Sequence, residues 1–331
     1  MKRTSIEISI NGKLVSGNLR QYLKSLSYRE ALDGEADTLE VTLQDAEGLF
    51  MSEWFPRRGM RIEATILDEY TAMPLGNFEI DEIENEMPPS ECKIKGNTIP
   101  WSSGLKSEEK SRSWEQVALS TIARDIATCG GLRLYYDAAD DPVIERAEQS
   151  EESDLKFLHR LCRDKGLALK MNDEKLIIFE IERYEAASAI AEYEKGGSEI
   201  KKFHARSTLN EVYTRCEVKY KHGRKGQVIE GSYEGGGMLD RLTGSGRTLK
   251  VNKKVSTQAE AERLARKSLE RKNREETKLN MTVAGDMRLR AGATVKLSKF
   301  EVFDGKYIIR QATHTVGVGG YETAVEMTRC L

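Results

Sequence analysis

The sequence predicts a β-rich α+β fold in which two similar antiparallel β-units flank a small α+β domain. Apolar and polar residues alternate in short runs near both ends of the chain, as they do in half-buried antiparallel strands. Two stretches in the middle instead carry apolar residues at helical spacing. The strand patterns near the amino terminus recur, in the same order, near the carboxyl terminus.

The recurring pattern has four strands in each copy. The first copy comprises residues 39–43, 61–64, 77–80 and 92–94, and the second comprises residues 279–283, 294–297, 306–309 and 324–326. A glycine precedes the second and third strands of both copies, where a turn needs positive φ; these structural turn glycines are Gly59, Gly76, Gly292 and Gly305. Chance likeness between two antiparallel sheets is the alternative. A true repeat gives each chain two equivalent surfaces, so an assembly of three chains has six. That number suits a connector between a six-fold and a three-fold object.

Composition places the chain among polar globular proteins. Of its 331 residues, 39% are hydrophobic and 32% are charged, and the net charge is −2, which provides no general attraction to nucleic acid or to anionic membranes. No apolar run approaches the ~20 residues that span a bilayer, and the first residues lack the apolar segment of a signal peptide. The five cysteines are scattered without a C-x-x-C pair, so neither a disulfide framework nor a zinc site is predicted.

Residues 1–100 are predicted to form the first β-unit. An alternating run over residues 6–10 ends at Asn11-Gly12, a pair typical of two-residue hairpins, and residues 13–15 return. Further strands are predicted at 26–30, 39–44, 61–67, 78–84 and 91–98. Short strands separated by turn signals favour a small barrel or sandwich.

Residues 101–182 are predicted to form the middle α+β domain. Ser113 and Gln116 fit a capping box before a helix whose apolar face holds Leu119, Ile122, Ala123 and Ile126. A strand at 132–136, a second helix at 152–165 and a hairpin of strands 167–171 and 175–180 follow.

Residues 183–331 are predicted to form the second β-unit with a packed helix. Strands are expected at 209–220 and after Gly226, and Thr257 and Glu260 form a capping box before a helix that runs to Arg274. The apolar stripe of this helix is narrow, so we expect it to lie against the second copy of the repeat. Its charged face would meet solvent or a neighbouring subunit, with Arg266, Lys267 and Arg271 as interface candidates.

No pattern in the sequence predicts catalysis, cofactor binding or metal binding. The four histidines do not pair at ligand spacing, and H-E-x-x-H, phosphate-loop and G-x-S-x-G motifs are absent. The 54 acidic residues supply many carboxylate pairs by chance, so none of them indicates acid–base chemistry. Basic clusters at 219–225 and 263–274 are too diluted or too short to predict nucleic-acid binding.

Three stretches, taken in order, resemble the late control D family of hub proteins from the tails of contractile phages. The stretches are Gly76–Ile83 with Pro88-Pro89-Ser90, then Lys110–Glu115 with Glu145–Leu158 and Gly166-Leu167, then Ala291–Val295 with Asp304–Ile309, His314 and Gly320–Thr323. The hub portion of type VI secretion spike proteins is similar. This resemblance covers nearly the whole chain.

The resemblance implies a homotrimer in which two tube-like β-barrel units per chain form a pseudo-six-fold ring. Such a hub would join the six-fold tail tube to a three-fold spike, with the middle domain outside. The implied partners are the tail tube protein, a separate spike protein, baseplate components and the tape-measure protein, without specific nucleic-acid binding or membrane insertion. We expect assembly in the cytoplasm of the bacterial host and a final place in the tail baseplate.

Three functions therefore compete at this stage. A structural hub without enzymatic activity leads, and its bore is expected to be polar without being strongly basic. A tail-associated cell-wall hydrolase or glycan-binding protein is the alternative, and a nucleic-acid-binding regulator is the third. The sequence leaves open whether the particle is a phage, a bacteriocin or a defective prophage tail.

Overall fold

The computed structural model describes residues 4–19, 21–99, 103–172, 175–208, 212–222, 227–235 and 246–331. The first strands are β1 (Ser5–Ile10), β2 (Lys13–Leu14), β3 (Leu23–Ala31), β4 (Thr38–Gln44), β5 (Arg61–Leu67), β6 (Ala72–Glu86) and β7 (Glu91–Asn97). The next are β8 (Glu109–Ala118), β9 (Arg133–Asp137), β10 (Val143–Ser153), β11 (Ala168–Asn172) and β12 (Lys175–Phe179). The last are β13 (Ala191–Glu194), β14 (Ile200–Ser207), β15 (Arg215–His222), β16 (Gln227–Glu234), β17 (Thr248–Val251), β18 (Thr277–Ala284), β19 (Thr294–Ser298), β20 (Gly305–Gly317) and β21 (Gly320–Arg329). The helices are α1 (Ser16–Leu19), α2 (Leu119–Cys129), α3 (Asp154–Asp164), α4 (Ile181–Ala186) and α5 (Gln258–Asn273), with 3-10 turns at Leu49–Met51, Arg274–Glu276 and Glu301–Phe303.

One continuous sheet of 13 strands contains both ends of the chain. Its main path runs β14-β18-β21-β20-β3-β4-β7-β6-β5-β1-β2, and β13 and β19 extend from β20 beside this path. Strands β1–β7 form the first β-unit, and β13, β14 and β18–β21 form the second. Each unit has its own apolar core, and the two units meet where β3 pairs antiparallel with β20. The β-rich α+β fold predicted from the sequence is confirmed.

The two β-units share a strand order, which confirms the repeat. In the first unit the four repeat strands are ordered β4-β7-β6-β5, and in the second they are ordered β18-β21-β20-β19, with all neighbours antiparallel. Both units add an antiparallel entry strand before the first repeat strand, β3 in one and β14 in the other. The outer strands differ, because β1 pairs antiparallel with β5 whereas β13 pairs parallel with β19.

Bulges occur at equivalent places in the two units. The ladder between the third and fourth repeat strands skips Asp81 in the first unit and Arg310 in the second, which lie five residues after Gly76 and Gly305 respectively. The ladders of the entry strands skip Lys24 and Lys201 in the same way. Bulges change the direction of a strand and its twist, so the two units also share their local curvature.

The four glycines predicted from the repeat adopt backbone conformations that other residues avoid, but Gly76 lies within β6, opposite Ala64 at a bulge, and not in the predicted turn. Their φ angles are 84° at Gly59, 106° at Gly76, 91° at Gly292 and 142° at Gly305. The glycines before the second repeat strand also make matching hydrogen bonds in the two units. Gly59 N donates to Ile80 O over 2.8 Å, and Gly292 N donates to the equivalent Ile309 O over 2.9 Å.

The middle domain contains two sheets and two helices around one core. Strands β8 and β10 form an antiparallel pair, and β11, β12 and β9 form a three-stranded sheet. The apolar face predicted for α2 is correct, since its four residues are fully buried. The capping box predicted at Ser113 is wrong, because Ser113 lies within β8 opposite Glu148 of β10.

The long strand β8 displaces the predicted start of α2. Trp114 stacks on Phe157 of α3 with ring centroids 5.2 Å apart, which fixes β8 against the core. Helix α2 begins only at Leu119, and Asp141 caps it by accepting a hydrogen bond from Ser120 N over 2.9 Å.

Helix α5 begins at the predicted capping box but packs on a different sheet from the one expected. Thr257 Oγ1 accepts a hydrogen bond from Glu260 N over 3.1 Å. Instead of the second copy of the repeat, α5 covers the separate sheet of β16, β15 and β17, with which its buried residues share a core. Gly231 of β16 permits this packing, because a Cβ there would lie 2.4 Å from Glu262 N. Residues 209–211 of the strand predicted at 209–220 lie outside the described residues, and the proposed domain limits at 100 and 182 stay predictions.

The packing of α5 predicts different costs for two leucine truncations. Leu269 is 1% exposed, so Leu269→Ala should lower the free energy of unfolding by about 2–5 kcal/mol. Leu264 is only partly buried in the same core, so Leu264→Ala should cost less. Chemical denaturation of both variants measures the difference, and equal losses would contradict this packing.

Candidate assembly interface

The junction between the two β-units is a backbone ladder between β3 and β20. It pairs seven residues of each strand, from Ser25 opposite Gly317 to Ala31 opposite Gln311. Leu32 N then donates to Arg310 O over 2.8 Å, which extends the junction by one contact. The ladder joins segments from the two ends of the chain, so it holds the first and second units side by side.

A buried histidine lies at the centre of this junction. His314 of β20 is opposite Tyr28 of β3, and their rings stack with centroids 6.1 Å apart. His314 Nε2 lies 3.0 Å from Leu289 O, and Nδ1 lies 2.8 Å from Tyr321 Oη. A neutral ring that donates from Nε2 to the carbonyl and accepts at Nδ1 satisfies both contacts. Burial lowers the pKa of His314 to about 4, so the ring is neutral at physiological pH.

Glu30 joins three parts of the chain at the edge of the same junction. Its carboxylate, 4% exposed on β3, lies 2.9 Å from Lys170 Nζ of β11 and 2.7 Å from Arg290 Nε of the second unit. Burial alone would raise the pKa of Glu30, but Lys170 and Arg290 outweigh it and hold the pKa below its ordinary value. A single ionised carboxylate therefore connects the first unit, the middle domain and the second unit.

Asp37 completes this buried cluster. Its Oδ1 accepts a hydrogen bond from Ala31 N over 3.0 Å, and its Oδ2 lies 3.5 Å from Lys170 Nζ. Burial, opposed by Lys170 and reinforced by Glu30, raises the pKa of Asp37 to about 6. The two carboxyl groups thus share one ammonium, and Glu30 has the better geometry.

The three interface candidates predicted on α5 differ in their exposure and in the elements that they contact. Arg266 has a side chain that is 58% exposed. Lys267 Nζ lies 2.9 Å from Glu182 of α4, and Arg271 donates to Arg163 O, 3.3 Å away, at the end of α3. Lys267 and Arg271 therefore connect α5 to other elements of the same chain, and an interface role for the three residues stays a prediction.

The charged cluster at the junction was not found from the sequence. Glu30, Lys170 and Arg290 are far apart in the chain, and each looks like one of many surface charges in the pattern. Within the described ranges, no group of three or more His, Cys, Asp or Glu side chains is arranged to hold a metal ion. No helix in that part of the chain has the length and apolar character needed to cross a bilayer.

Comparison with known proteins identifies the family. A family model described as phage tail baseplate hub (GPD) matches residues 98–320, which is more than half of the chain. The chain belongs to the phage tail baseplate hub (GPD) family. The resemblance stated from the sequence is therefore confirmed.

Individual relatives of this hub family extend the comparison. The probable baseplate hub protein of Escherichia phage P2 is 26% identical over 177 residues, which are 51% of this chain and 43% of that protein. This chain thus matches less than half the length of that curated relative.

Two solved structures share the fold along almost the whole chain. A 43 kDa tail protein of prophage MuSo2 from Shewanella oneidensis has a TM-score of 0.75 at 14% identity, covering 99% of this chain and 98% of that one. A type VI secretion component from E. coli, described as similar to T4 tail proteins, has a TM-score of 0.59 at 11% identity, covering 98% and 76%. The fold is therefore shared between tail proteins and type VI secretion.

The position of Glu30 predicts a large cost for its neutralisation. Glu30→Gln keeps the shape of the side chain but leaves the buried Lys170 with only the more distant Asp37, and the partly exposed Arg290 without its carboxylate, so the free energy of unfolding should fall by about 3–5 kcal/mol. Glu322→Gln is the matched control, since Glu322 pairs with Lys201 at the surface and should cost at most about 1 kcal/mol. Urea denaturation measures both, and a small loss for Glu30→Gln would contradict its role as the shared counter-ion.

The neutral state of His314 predicts a specific dependence of stability on pH. The unfolded histidine takes up a proton near pH 6.5 and the folded one only near pH 4, so its contribution is present above pH 6.5 and is lost as the pH falls toward 4. The wild type should lose up to about 1.4 kcal/mol per pH unit more than His314→Gln in this window. Denaturation curves at pH 7 and pH 5 test this, and parallel losses in the two proteins would refute it.

Proposed function

We propose that this protein is the structural hub of a contractile tail, a trimeric pseudo-six-fold adaptor that joins the six-fold tail tube to a three-fold spike. Membership of the hub family supports the tail location. The observation that carries the adaptor role is the duplication, in which two units of equal strand order lie side by side in one sheet. Because each chain contributes two such units, three chains supply six equivalent positions within a closed three-fold assembly.

The proposed partners follow from the two symmetries. The tail tube protein would meet all six units at one end of the ring, and the spike protein would meet the three-fold features at the other end. Baseplate components would contact the middle domains outside, and the tape-measure protein would pass through the bore. Assembly would take place in the cytoplasm of the bacterial host.

The polar face of the sheet suits a bore through which other molecules pass. Lys95 lies 2.8 Å from Glu84 and 3.3 Å from Glu82, and Lys93 lies 3.0 Å from Glu86. Cations on this face are thus balanced by neighbouring carboxylates, which limits the salt-dependent attraction that a row of free cations would exert on phosphates. Polar walls of both signs support the expected non-basic bore.

A structural role also explains the shifted pKa values of Asp37 and Glu30 better than a role in hydrolysis does. Asp37, with the raised pKa typical of an acid catalyst, is 0% exposed, and its neighbour Glu30 is almost as deeply buried. Both lie between packed elements, where no polysaccharide could reach them. We therefore infer that their role is to fix the domains, and that the protein is not an enzyme.

The adaptor role predicts three copies in the assembled hub. Native mass spectrometry over a range of concentrations should show a species of three chains of 37.4 kDa, and electron microscopy of assembled tails should show a three-fold hub with six similar lobes. A hub of two or of six copies would exclude the proposed symmetry.

A further inference from the structure

Among the open strand edges of the described residues, two lie at corresponding places in the repeat. Strand β14 pairs with β18 on one side only and ends the main path of the large sheet. Residues 82–86 of β6 pair with β7 on one side, whereas the ladder with β5 on the other side stops at Glu79. Open edges of this kind readily accept another strand.

The repeat shows what these edges correspond to. Strand β6 is equivalent to β20, and β14 is equivalent to β3, as their ladders and bulges establish. Beyond its bulge, β20 runs past the end of β19 and uses that free side to pair with β3. The two open edges are therefore the two halves of a second such junction, which one chain cannot close by itself.

We infer that residues 82–86 of one chain pair antiparallel with β14 of the next chain, in the same register as the junction between β3 and β20. This inference rests on the trimeric adaptor proposed above and defines its subunit contact. When the repeats are aligned at their bulges, Glu82 of β6 is equivalent to Gln311 of β20, and Phe203 of β14 is equivalent to Leu26 of β3. The internal register then places Glu84 opposite Arg206, Glu86 opposite His204 and Met87 opposite Phe203 of the neighbour.

In this register Glu84 faces the opposite charge of Arg206, and Glu86 faces His204. The β6 edge presents Glu82, Glu84 and Glu86, and β14 presents Lys202, His204 and Arg206, all on the polar face of the sheet. Opposite charges facing each other across antiparallel strands stabilise the pairing. A slip by one residue would place these charges against the apolar face, so the pattern also selects the register.

The apolar face provides independent support. At the internal junction, Val316 and Leu26 face each other and are 6% and 0% exposed. Their equivalents are Met87, which is 68% exposed, and Phe203, which is only partly buried. Pairing with a second copy would cover the methionine as the internal junction covers the valine, which removes apolar surface from water.

Cysteine cross-linking tests the pairing directly. The variant Glu84→Cys with Arg206→Cys, in a background of Cys129→Ser and Cys330→Ser, should form disulfides between chains on oxidation. The matched positive control is Arg29→Cys with Thr313→Cys, the equivalent pair of the internal junction, which should close within one chain. Glu84→Cys with Lys202→Cys keeps the face but breaks the register, so it should not link. Native mass spectrometry measures the number of chains, and denaturing gels run without reducing agent show whether a disulfide joins two chains.

Charge exchange provides a second measurement. Glu84→Arg should weaken the trimer about fivefold or more in dissociation constant, and adding Arg206→Glu in the same chain should restore it. Glu326→Arg, on the exposed face of the interior strand β21, is the control that should leave the trimer unchanged. One result would overturn the pairing but not the trimeric adaptor. In that result the native mass corresponds to three chains and the internal control pair forms its disulfide, but Glu84→Cys with Arg206→Cys forms no disulfide between chains. Absence of a trimer would overturn both.

Discussion

The backbone ladder between β3 and β20 is the contact on which the rest of the molecule depends. It joins an early strand to one near the end of the chain, so the position of each β-unit relative to the other depends on contact between distant parts of the sequence. The middle domain takes its position from the same place, because Lys170 reaches Glu30 just beside the ladder. Backbone pairing between β3 and β20 sets the register of the two β-units, and the buried ion pairs orient the middle domain against them.

The buried charges are better understood as a positional device than as a source of stability. Removing carboxylates and ammonium groups from water is costly, and apolar residues of similar shape would often serve stability as well. Glu30 is satisfied only when Lys170 and Arg290 both approach it. An incorrectly docked middle domain would leave a charge buried without its partner, so the cluster penalises such arrangements.

The sequence was sufficient for features that repeat or that have a local cause. Alternation with period two located the strands of the first unit, and the four glycines predicted from the repeat all have positive φ, although Gly76 lies within β6 and not in a turn. The capping box at Thr257 was found because its residues are three positions apart and bond to each other.

Features that depend on distant partners were missed. Ser113 has the same local chemistry as Thr257, yet pairing with β10, more than thirty residues later, overrides it. The narrow apolar stripe of α5 shows that the helix packs on something but does not identify the sheet. Glu30, Lys170 and Arg290 carry no common pattern, so only the fold reveals that they meet.

The two β-units are not identical at the segment between the first and second repeat strands. In the first unit residues 45–60 separate β4 from β5, whereas in the second only residues 285–293 separate β18 from β19. The longer segment holds Met51, Trp54 and Phe55, which are 47%, 42% and 48% exposed. In a closed ring of three chains, apolar projections would recur every third of a turn while the strands recur every sixth. One rim would thus combine two symmetries. A partner that binds the backbone of the strands would find six similar sites, whereas a partner that binds the exposed apolar side chains would find three.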